Sequence, residues 1–170
     1  MRYCLPVLLL LAAGCSGGAE ADNAAAPAAS KEAAAPSRPA PASGELSTLT
    51  GLYEGGKAGQ PDQMCIVPRD GAQHFGLVVW GGNMHSCSGS GTATREGGTL
   101  RLAMAGDRTC TIDARIDGTT VTFPATLPEG CAYYCGARAS LANATLTQKG
   151  TTPADAGKAK DLVGEPLCGS

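Results

Sequence analysis

Residues 109–123 read TCTIDARIDGTTVTF, and this stretch decides the predicted fold. From Cys110 to Ile116 the apolar and polar residues alternate, which is the period of two typical of a half-buried strand. Asp117-Gly118 follows, and Val121 and Phe123 then share one face of a second short run. Because Asp-Gly between two alternating runs is a strong short-range hairpin signal, we predict a β-hairpin here.

Further strands are predicted on both sides of this hairpin. Residues 88–94 and 100–104 extend it upstream into a four-strand meander, with a turn at Gly97-Gly98. Other short apolar runs predict strands at residues 49–54, 64–67, 75–80 and 141–147. Residues 129–138 are expected to form a loop or a single helical turn. Since short turns join the strands, we predict an all-β domain, a small antiparallel meander that closes into a barrel or sandwich.

The opening of the domain carries a resemblance of its own. Gly51 followed by Leu52-Tyr53 resembles the first strand of small lipocalin-like and other barrel-shaped bacterial envelope domains. The resemblance implies a barrel, and we transfer no ligand site from it.

Cysteines supply the second structural signal. The chain has 24 glycines and is only 4% aromatic, so a domain of about 100 residues would have a thin core that benefits from covalent support. An even set of cysteines in an exported domain predicts a disulfide framework. The set lies outside the N-terminal region and comprises Cys65, Cys87, Cys110, Cys131, Cys135 and Cys168.

Several pairings of these six cysteines are possible, and we favour one. Cys65 and Cys87 flank one predicted strand, so we pair them. The other four cysteines allow several pairings, among which we choose Cys110 with Cys131 and Cys135 with Cys168, the last of which would pin the tail. Metal or redox chemistry is the alternative, but three residues separate Cys131 from Cys135 rather than the two of common zinc and thioredoxin-like sites. We assign no metal site.

The N-terminus has the composition of a secretory signal. The chain begins MRYCLPVLLLLAAGC, in which Arg2 is basic, residues 5–11 are apolar and small residues precede Cys15. The apolar segment is much shorter than the roughly 20 residues that span a bilayer. Small residues followed by cysteine resemble the bacterial lipobox, with Ala12 at the position usually held by leucine. The alternative is an ordinary cleaved signal that leaves Cys15 as a thiol.

The lipobox resemblance implies cleavage before Cys15 and a diacylglycerol on its thiol. Two or three acyl chains would anchor the mature protein stably in a membrane. Ser16, a non-acidic neighbour, implies the outer membrane of a bacterial cell envelope. The lipid-anchored Cys15 would be the contact with the membrane.

These observations divide the chain into four parts. Residues 1–14 form the signal peptide, and residues 15–44 form a lipidated cysteine and an Ala/Pro-rich tether that lacks Leu, Ile, Val and aromatic residues from position 16. Such a segment has nothing to bury and is expected to stay disordered, with a reach on the order of 30 Å. Residues 45–150 form the β domain, and residues 151–170 form a C-terminal tail pinned by Cys168.

Aromatic and histidine side chains are the candidate binding residues. They are Trp80, His85, Tyr133 and Tyr134, since exposed aromatic rings bury much area at little entropic cost. Trp80 could instead complete the core, and Tyr133 could cover a disulfide. His85 lies in the polar loop 81–86, and the only other histidine is His74.

No catalytic constellation is recognisable. The serines around His85 form no G-x-S-x-G elbow, and the run Ser88 to Gly91 lacks the lysine of a phosphate loop. The chain carries 13 basic and 15 acidic residues and has no basic cluster, which argues against nucleic acid as a partner. We therefore assign no catalytic residue and no cofactor.

The favoured function is a non-enzymatic cell-envelope lipoprotein whose β domain binds a protein or a cell-wall component. One alternative is a lysozyme-inhibitor-like protein, by analogy of architecture alone. Another is a periplasmic hydrolase or redox enzyme that uses His85 or the Cys131/Cys135 pair. A cavity with polar groups around His85 would favour a ligand-binding protein or an enzyme. A filled core with Tyr133 and Tyr134 projecting from a flat face would favour a protein-binding module.

Overall fold

Eight antiparallel strands form a closed barrel in the computed structural model, which describes residues 49–106 and 110–169. Each strand pairs with the next, and the last pairs with the first. The strands are β1 (Gly51–Lys57), β2 (Gln60–Arg69), β3 (Ala72–Trp80), β4 (Ser86–Glu96), β5 (Thr99–Met104), β6 (Thr111–Asp117), β7 (Thr120–Thr122) and β8 (Thr145–Gly150). The predicted all-β meander is confirmed, and it closes as a barrel rather than a sandwich.

Each predicted strand overlaps an observed one, although the boundaries shift. In the hairpin that decided the fold, Asp117 pairs with Thr120, so the two turn residues are Gly118 and Thr119. Gly118 has a φ of 58°, a conformation that glycine adopts without steric penalty. The last strand begins at Thr145, later than predicted.

The barrel interior is filled by side chains. Inward-facing residues from all eight strands form one buried cluster, which includes Tyr53, Met64, Phe75, Cys87, Leu102, Ile112, Val121 and Leu146. Eight strands enclose an interior just wide enough for such side chains to fill. The Tyr53 hydroxyl donates a hydrogen bond of 2.8 Å to the Leu49 carbonyl, where the described chain enters the barrel.

The two ends of the barrel differ. Successive antiparallel strands place their connections alternately at opposite ends, so tight turns after β2, β4 and β6 share one end with Leu49. We call this the N-terminal end. The connections after β1, β3, β5 and β7 lie at the other end, and the last of them, residues 123–144, is by far the longest. We call residues 123–144 the cap and this end the cap end.

The C-terminal residues 151–169 form a strap on the outside of the barrel. The strap begins with a short helix, α1 (Pro153–Ala156), whose first turn is closed by a capping box between Thr152 and Asp155. Ala156 and Ala159 bury against Leu52 and Cys65 in a second apolar cluster outside the barrel wall.

Three disulfides join Cys65 to Cys168, Cys87 to Cys135 and Cys110 to Cys131. The predicted Cys110–Cys131 pair is confirmed, and Cys168 does hold the tail. The other two predicted pairs are wrong.

The faces of the barrel wall explain this error. Cys65 lies in the outer cluster, whereas Cys87 lies in the interior cluster. Strand β3, the strand that the two cysteines flank in sequence, also separates β2 from β4 in the sheet. Because β3 lies between them, β2 and β4 are two strand spacings apart. That distance exceeds the roughly 7 Å between Cα atoms that a disulfide can bridge.

The predicted signal peptide, the lipidation site Cys15 and the tether lie outside the described residues. Within residues 49–106 and 110–169, no helix has the length and apolar character needed to cross a membrane.

Candidate functional site

The cap closes one end of the barrel. The backbone amide of Phe123 donates to the carbonyl of Ala144 over 2.8 Å, which joins the two ends of the cap. Between them lies a 3-10 helix at Glu129–Tyr134. Cys131 and Leu141 are buried in the interior cluster. The cap therefore covers the mouth of the barrel and contributes side chains to its core.

Two disulfides fix the cap to the wall. Cys131 bonds to Cys110 beside β6, and Cys135 bonds to Cys87 near the start of β4. The two bonds attach to strands on either side of β5, and they hold the middle of the 3-10 helix and its C-terminal end. A long connection held in this way has little conformational entropy left to lose.

The cap also lies along the connection between β3 and β4. Gly136 donates its amide hydrogen to the Ser86 carbonyl over 2.9 Å, and Gly82 donates to the Arg138 carbonyl over 3.2 Å. At Gly81 the approach is so close that a Cβ atom would lie 2.3 Å from the Arg138 oxygen. Glycine at position 81 therefore permits this contact.

The β3–β4 connection is a single 3-10-type turn at Gly82–Met84. Asn83 and Met84 both have positive φ, at 56° and 63°. The left-handed conformation is unfavourable for most L-residues, and Asn tolerates it better than Met does. The Met84 side chain is 74% exposed, and its Sδ accepts a hydrogen bond of 3.4 Å from the Gln60 Nε2.

The two adjacent tyrosines of the cap have different environments. Tyr134 is half-buried, its hydroxyl donates to the Ala105 carbonyl over 2.8 Å, and its ring lies over Gly89. Tyr133 is 79% exposed and meets the Tyr134 ring edge to face, with centroids 5.3 Å apart. Tyr134 is thus part of the scaffold, and Tyr133 projects from it.

Trp80 and His85 lie at the same end of the barrel. Trp80 ends β3 with its side chain half-buried, and its amide donates to the buried Asp62 carboxylate over 2.7 Å. The half-buried His85 packs beside the cap, since a Cβ atom on Gly136 would lie 3.2 Å from the His85 Nδ1. The four predicted binding residues therefore share the cap end, and Tyr133 is the most exposed of them.

A shallow groove of about 560 Å³ runs along the cap, between residues 125–132 and residues 135–142. Alanine is the commonest residue in its lining, and its larger apolar side chains are Leu127, Pro128 and Leu141. Glu129 is the one charged residue among those that line it. Sequence reasoning missed this groove, although a connection longer than about 12–15 residues was a signal that could have drawn attention to it.

The candidates for chemistry are not assembled into a single site. Cys131 and Cys135 are bonded to different partners rather than to each other. Among the described residues, no group of three or more His, Cys, Asp or Glu side chains is placed to hold a metal ion.

The groups with shifted pKa values lie elsewhere in the domain. Burial raises the pKa of Tyr53, against a smaller lowering by Arg95, to about 12. The hydrogen bond from Arg101 lowers the pKa of Asp113 on the outer wall. The hydrogen bonds from Lys158 and Thr152 lower the pKa of Asp155 in the strap to about 2. These shifts follow from packing and ion pairs of the scaffold.

Comparisons of the chain with protein-family models, with curated proteins and with solved structures found no match.

Proposed function

We propose that the protein is a non-enzymatic cell-envelope lipoprotein whose barrel binds a partner protein through its cap end. The observation that carries the proposal is the disulfide-fixed cap, which surrounds an apolar groove and presents the exposed ring of Tyr133.

The filled interior supports a surface partner over an enclosed small ligand. Barrels that hold a small molecule keep an internal cavity for it, whereas this barrel packs side chains from every strand into one cluster. The groove instead lies on the surface of the cap, where a protein segment can reach it.

The side chains at the cap end suit protein binding. Tyr133 is held in place by the ring of Tyr134, so its exposed surface is already positioned for contact. Rigid aromatic anchors beside apolar pockets dominate the binding energy of many interfaces. The exposed Met84 adds a second apolar side chain at this end, and methionine adapts readily to the shape of a partner.

The path of the chain also supports the cap end as the binding surface. The described chain enters the barrel at the N-terminal end, opposite the cap. If lipid at Cys15 anchors the protein, the tether therefore reaches the domain at the end away from the cap. The cap end is therefore not the end at which the chain enters the barrel.

Site-specific photocrosslinking in the native envelope tests the proposal. A benzophenone amino acid replaces Tyr133 in the full chain, and the matched control replaces Glu96, an exposed residue at the N-terminal end. We expect a discrete protein adduct from position 133 and none from position 96. Ala137→Trp should abolish the adduct by filling the groove, whereas Ala154→Trp on the strap should leave it unchanged.

Two results would contradict this function. Equal labelling from both positions, or an adduct that survives Ala137→Trp, would show that the cap groove does not select the partner. An adduct from which glycan-cleaving enzymes remove the added mass would identify a cell-wall component in place of a protein.

A further inference from the structure

We propose that Met84 is a site of selective oxidation by hydroperoxides, and that Gln60 determines which sulfoxide epimer forms. The inference does not depend on the proposed partner, because it concerns one side chain and its immediate contacts.

Exposure makes Met84 the preferred target among the methionines of the barrel. Its side chain is 74% exposed, whereas Met64 and Met104 are 0% and 5% exposed in the interior. Thiolates would compete for an oxidant, but the six cysteines of the domain are all paired in disulfides. Met84 is thus the most accessible divalent sulfur of the described residues that an oxidant would meet.

The turn around Met84 keeps its sulfur in a defined position. Asn83 and Met84 adopt consecutive left-handed conformations, and the amide of His85 closes the turn by donating to the Gly82 carbonyl over 3.2 Å. Gln60, the first residue of β2, donates its side-chain amide hydrogen to the Met84 Sδ. The thioether is therefore held from one side.

This contact gives the two faces of the sulfur different accessibility. A thioether sulfur has two lone pairs, and the Gln60 amide occupies one of them. Because Met84 is 74% exposed, the other lone pair is the more accessible of the two, and we infer that it attacks an incoming oxidant. Because oxygen on one lone pair gives one sulfoxide epimer and oxygen on the other gives its mirror image at sulfur, oxidation at Met84 favours one epimer.

The reaction is a two-electron oxygen transfer. The free lone pair of Sδ attacks one oxygen of hydrogen peroxide and the O–O bond breaks. The sulfur gains that oxygen and is oxidised to the sulfoxide, while the second oxygen takes up the remaining protons and leaves as water. Stereospecific sulfoxide reductases can reverse the change, with a separate enzyme for each epimer.

Peptide mapping of the full-length chain after dilute hydrogen peroxide tests the selectivity. Trypsin places the three barrel methionines in separate peptides, since Met64 falls in 58–69, Met84 in 70–95 and Met104 in 102–108. We expect a gain of one oxygen in the peptide 70–95 well before the other two. Met84→Leu should remove this gain, which excludes Trp80 in the same peptide as its source.

The epimer ratio tests the role of Gln60. Treating the oxidised peptide with each stereospecific reductase measures the amount of each sulfoxide epimer. We expect an excess of one epimer of about threefold, because that ratio corresponds to the free energy of a weak net hydrogen bond. Gln60→Leu should bring the ratio close to one. Lys57→Gln, at the cross-strand partner of Gln60 at the end of β1, leaves the Gln60 side chain in place and should keep the excess.

Each alternative outcome would overturn part of the inference. Oxidation of Met64 or Met104 as fast as Met84 would remove the selectivity. Persistence of the added oxygen in Met84→Leu would move the site to Trp80. Equal epimers in the unmodified sequence, or an unchanged excess in Gln60→Leu, would remove the role of Gln60.

Discussion

Met84 has a backbone conformation that its side chain disfavours. Asn83 and Met84 are the central residues of the β3–β4 turn, and both have positive φ. In hairpins, a turn with two left-handed central residues prefers Asn followed by Gly. Asn83 matches this preference, but Met84 occupies the position that favours glycine. Met84 therefore stores local strain at the cap end.

Met84→Gly should therefore stabilise the protein. Relief of the left-handed strain exceeds the added flexibility of glycine in the unfolded chain, so we expect a gain of about 0.5–1 kcal/mol in the free energy of unfolding. Urea denaturation measures this value. Met84→Leu keeps a side chain in the same conformation and should change stability little, and a loss of stability in Met84→Gly would show that the methionine side chain makes a favourable contact.

Tyr53 links the core to the pH dependence of stability. Its pKa is raised by burial to about 12 from the ordinary value of 10. The folded state thus favours the neutral phenol. The contribution of the neutral Tyr53 phenol to the free energy of unfolding is fully present below pH 10 and is lost as the pH rises through about 12.

Tyr53→Phe should change this pH dependence. At neutral pH the variant loses the hydrogen bond to Leu49, which costs about 1 kcal/mol. Between pH 10 and about 12 the free energy of unfolding of the original protein should fall by up to about 2–3 kcal/mol more than that of the variant. The two free energies therefore converge or cross. Urea unfolding at several alkaline pH values measures the difference. Tyr133→Phe, at an exposed position, is the control, and parallel curves for Tyr53→Phe would refute the argument.

At the scale of secondary structure, the strands and the helical turn within residues 129–138 were predictable, whereas the packing of the cap was not. Alternation and turn residues are local properties, so the segment around Ile112 and Ile116 could be assigned to a strand directly. In the cap, Tyr133 and Tyr134 are neighbours in sequence, and a short helix directs one outwards and the other against Gly89. Local patterns carry no information about that difference, because it depends on contacts with β4 and β5.

Disulfide pairing failed for a related reason. Spacing along the chain reports which segments lie between two cysteines, but not which face of the barrel wall each side chain takes. Cys65 follows the outward alternation of β2 and Cys87 the inward alternation of β4. Assigning each cysteine to the inner or outer face of its strand before pairing the cysteines would have excluded a bond between Cys65 and Cys87.

The strap should depend on its disulfide. Its apolar contacts are few, since Ala156, Ala159 and Leu167 supply most of them. Replacing both Cys65 and Cys168 by Ala should lower stability by about 2–5 kcal/mol, given the 103 residues that the bond spans. Hydrogen exchange should become faster at the Leu167 amide, which donates to Ala159, and remain slow in β3.

A matched pair of substitutions distinguishes a local effect from general destabilisation. Replacing both Cys110 and Cys131 by Ala removes a disulfide of the cap and should leave exchange in the strap unchanged. Unchanged protection at Leu167 in the Cys65/Cys168 variant would mean that packing alone holds the strap.

At the scale of the whole molecule, the proposed lipid anchor at Cys15 would set the location of the domain. We expect Cys15→Ala to abolish the lipid and release the protein into the soluble fraction, because no other acylated residue is predicted. Mass spectrometry of the mature protein and membrane fractionation measure both effects. Cys4→Ala changes the segment that is removed and should leave the protein lipidated, whereas a Cys15→Ala protein that remains acylated would contradict the lipobox interpretation.

The pairing of the last strand with the first also constrains when the protein can fold. Barrel closure brings Tyr53 against Gln148, and the bond from Cys65 to Cys168 spans most of the domain. A nascent chain that has not yet released β8 leaves β1 and β7 without their outer neighbours, so its core is incomplete. Such long-range closure makes folding slow. If the protein is exported, as we propose, a chain that stays unfolded until β8 and Cys168 are available would remain able to pass through an export channel, and its cysteines would pair after export.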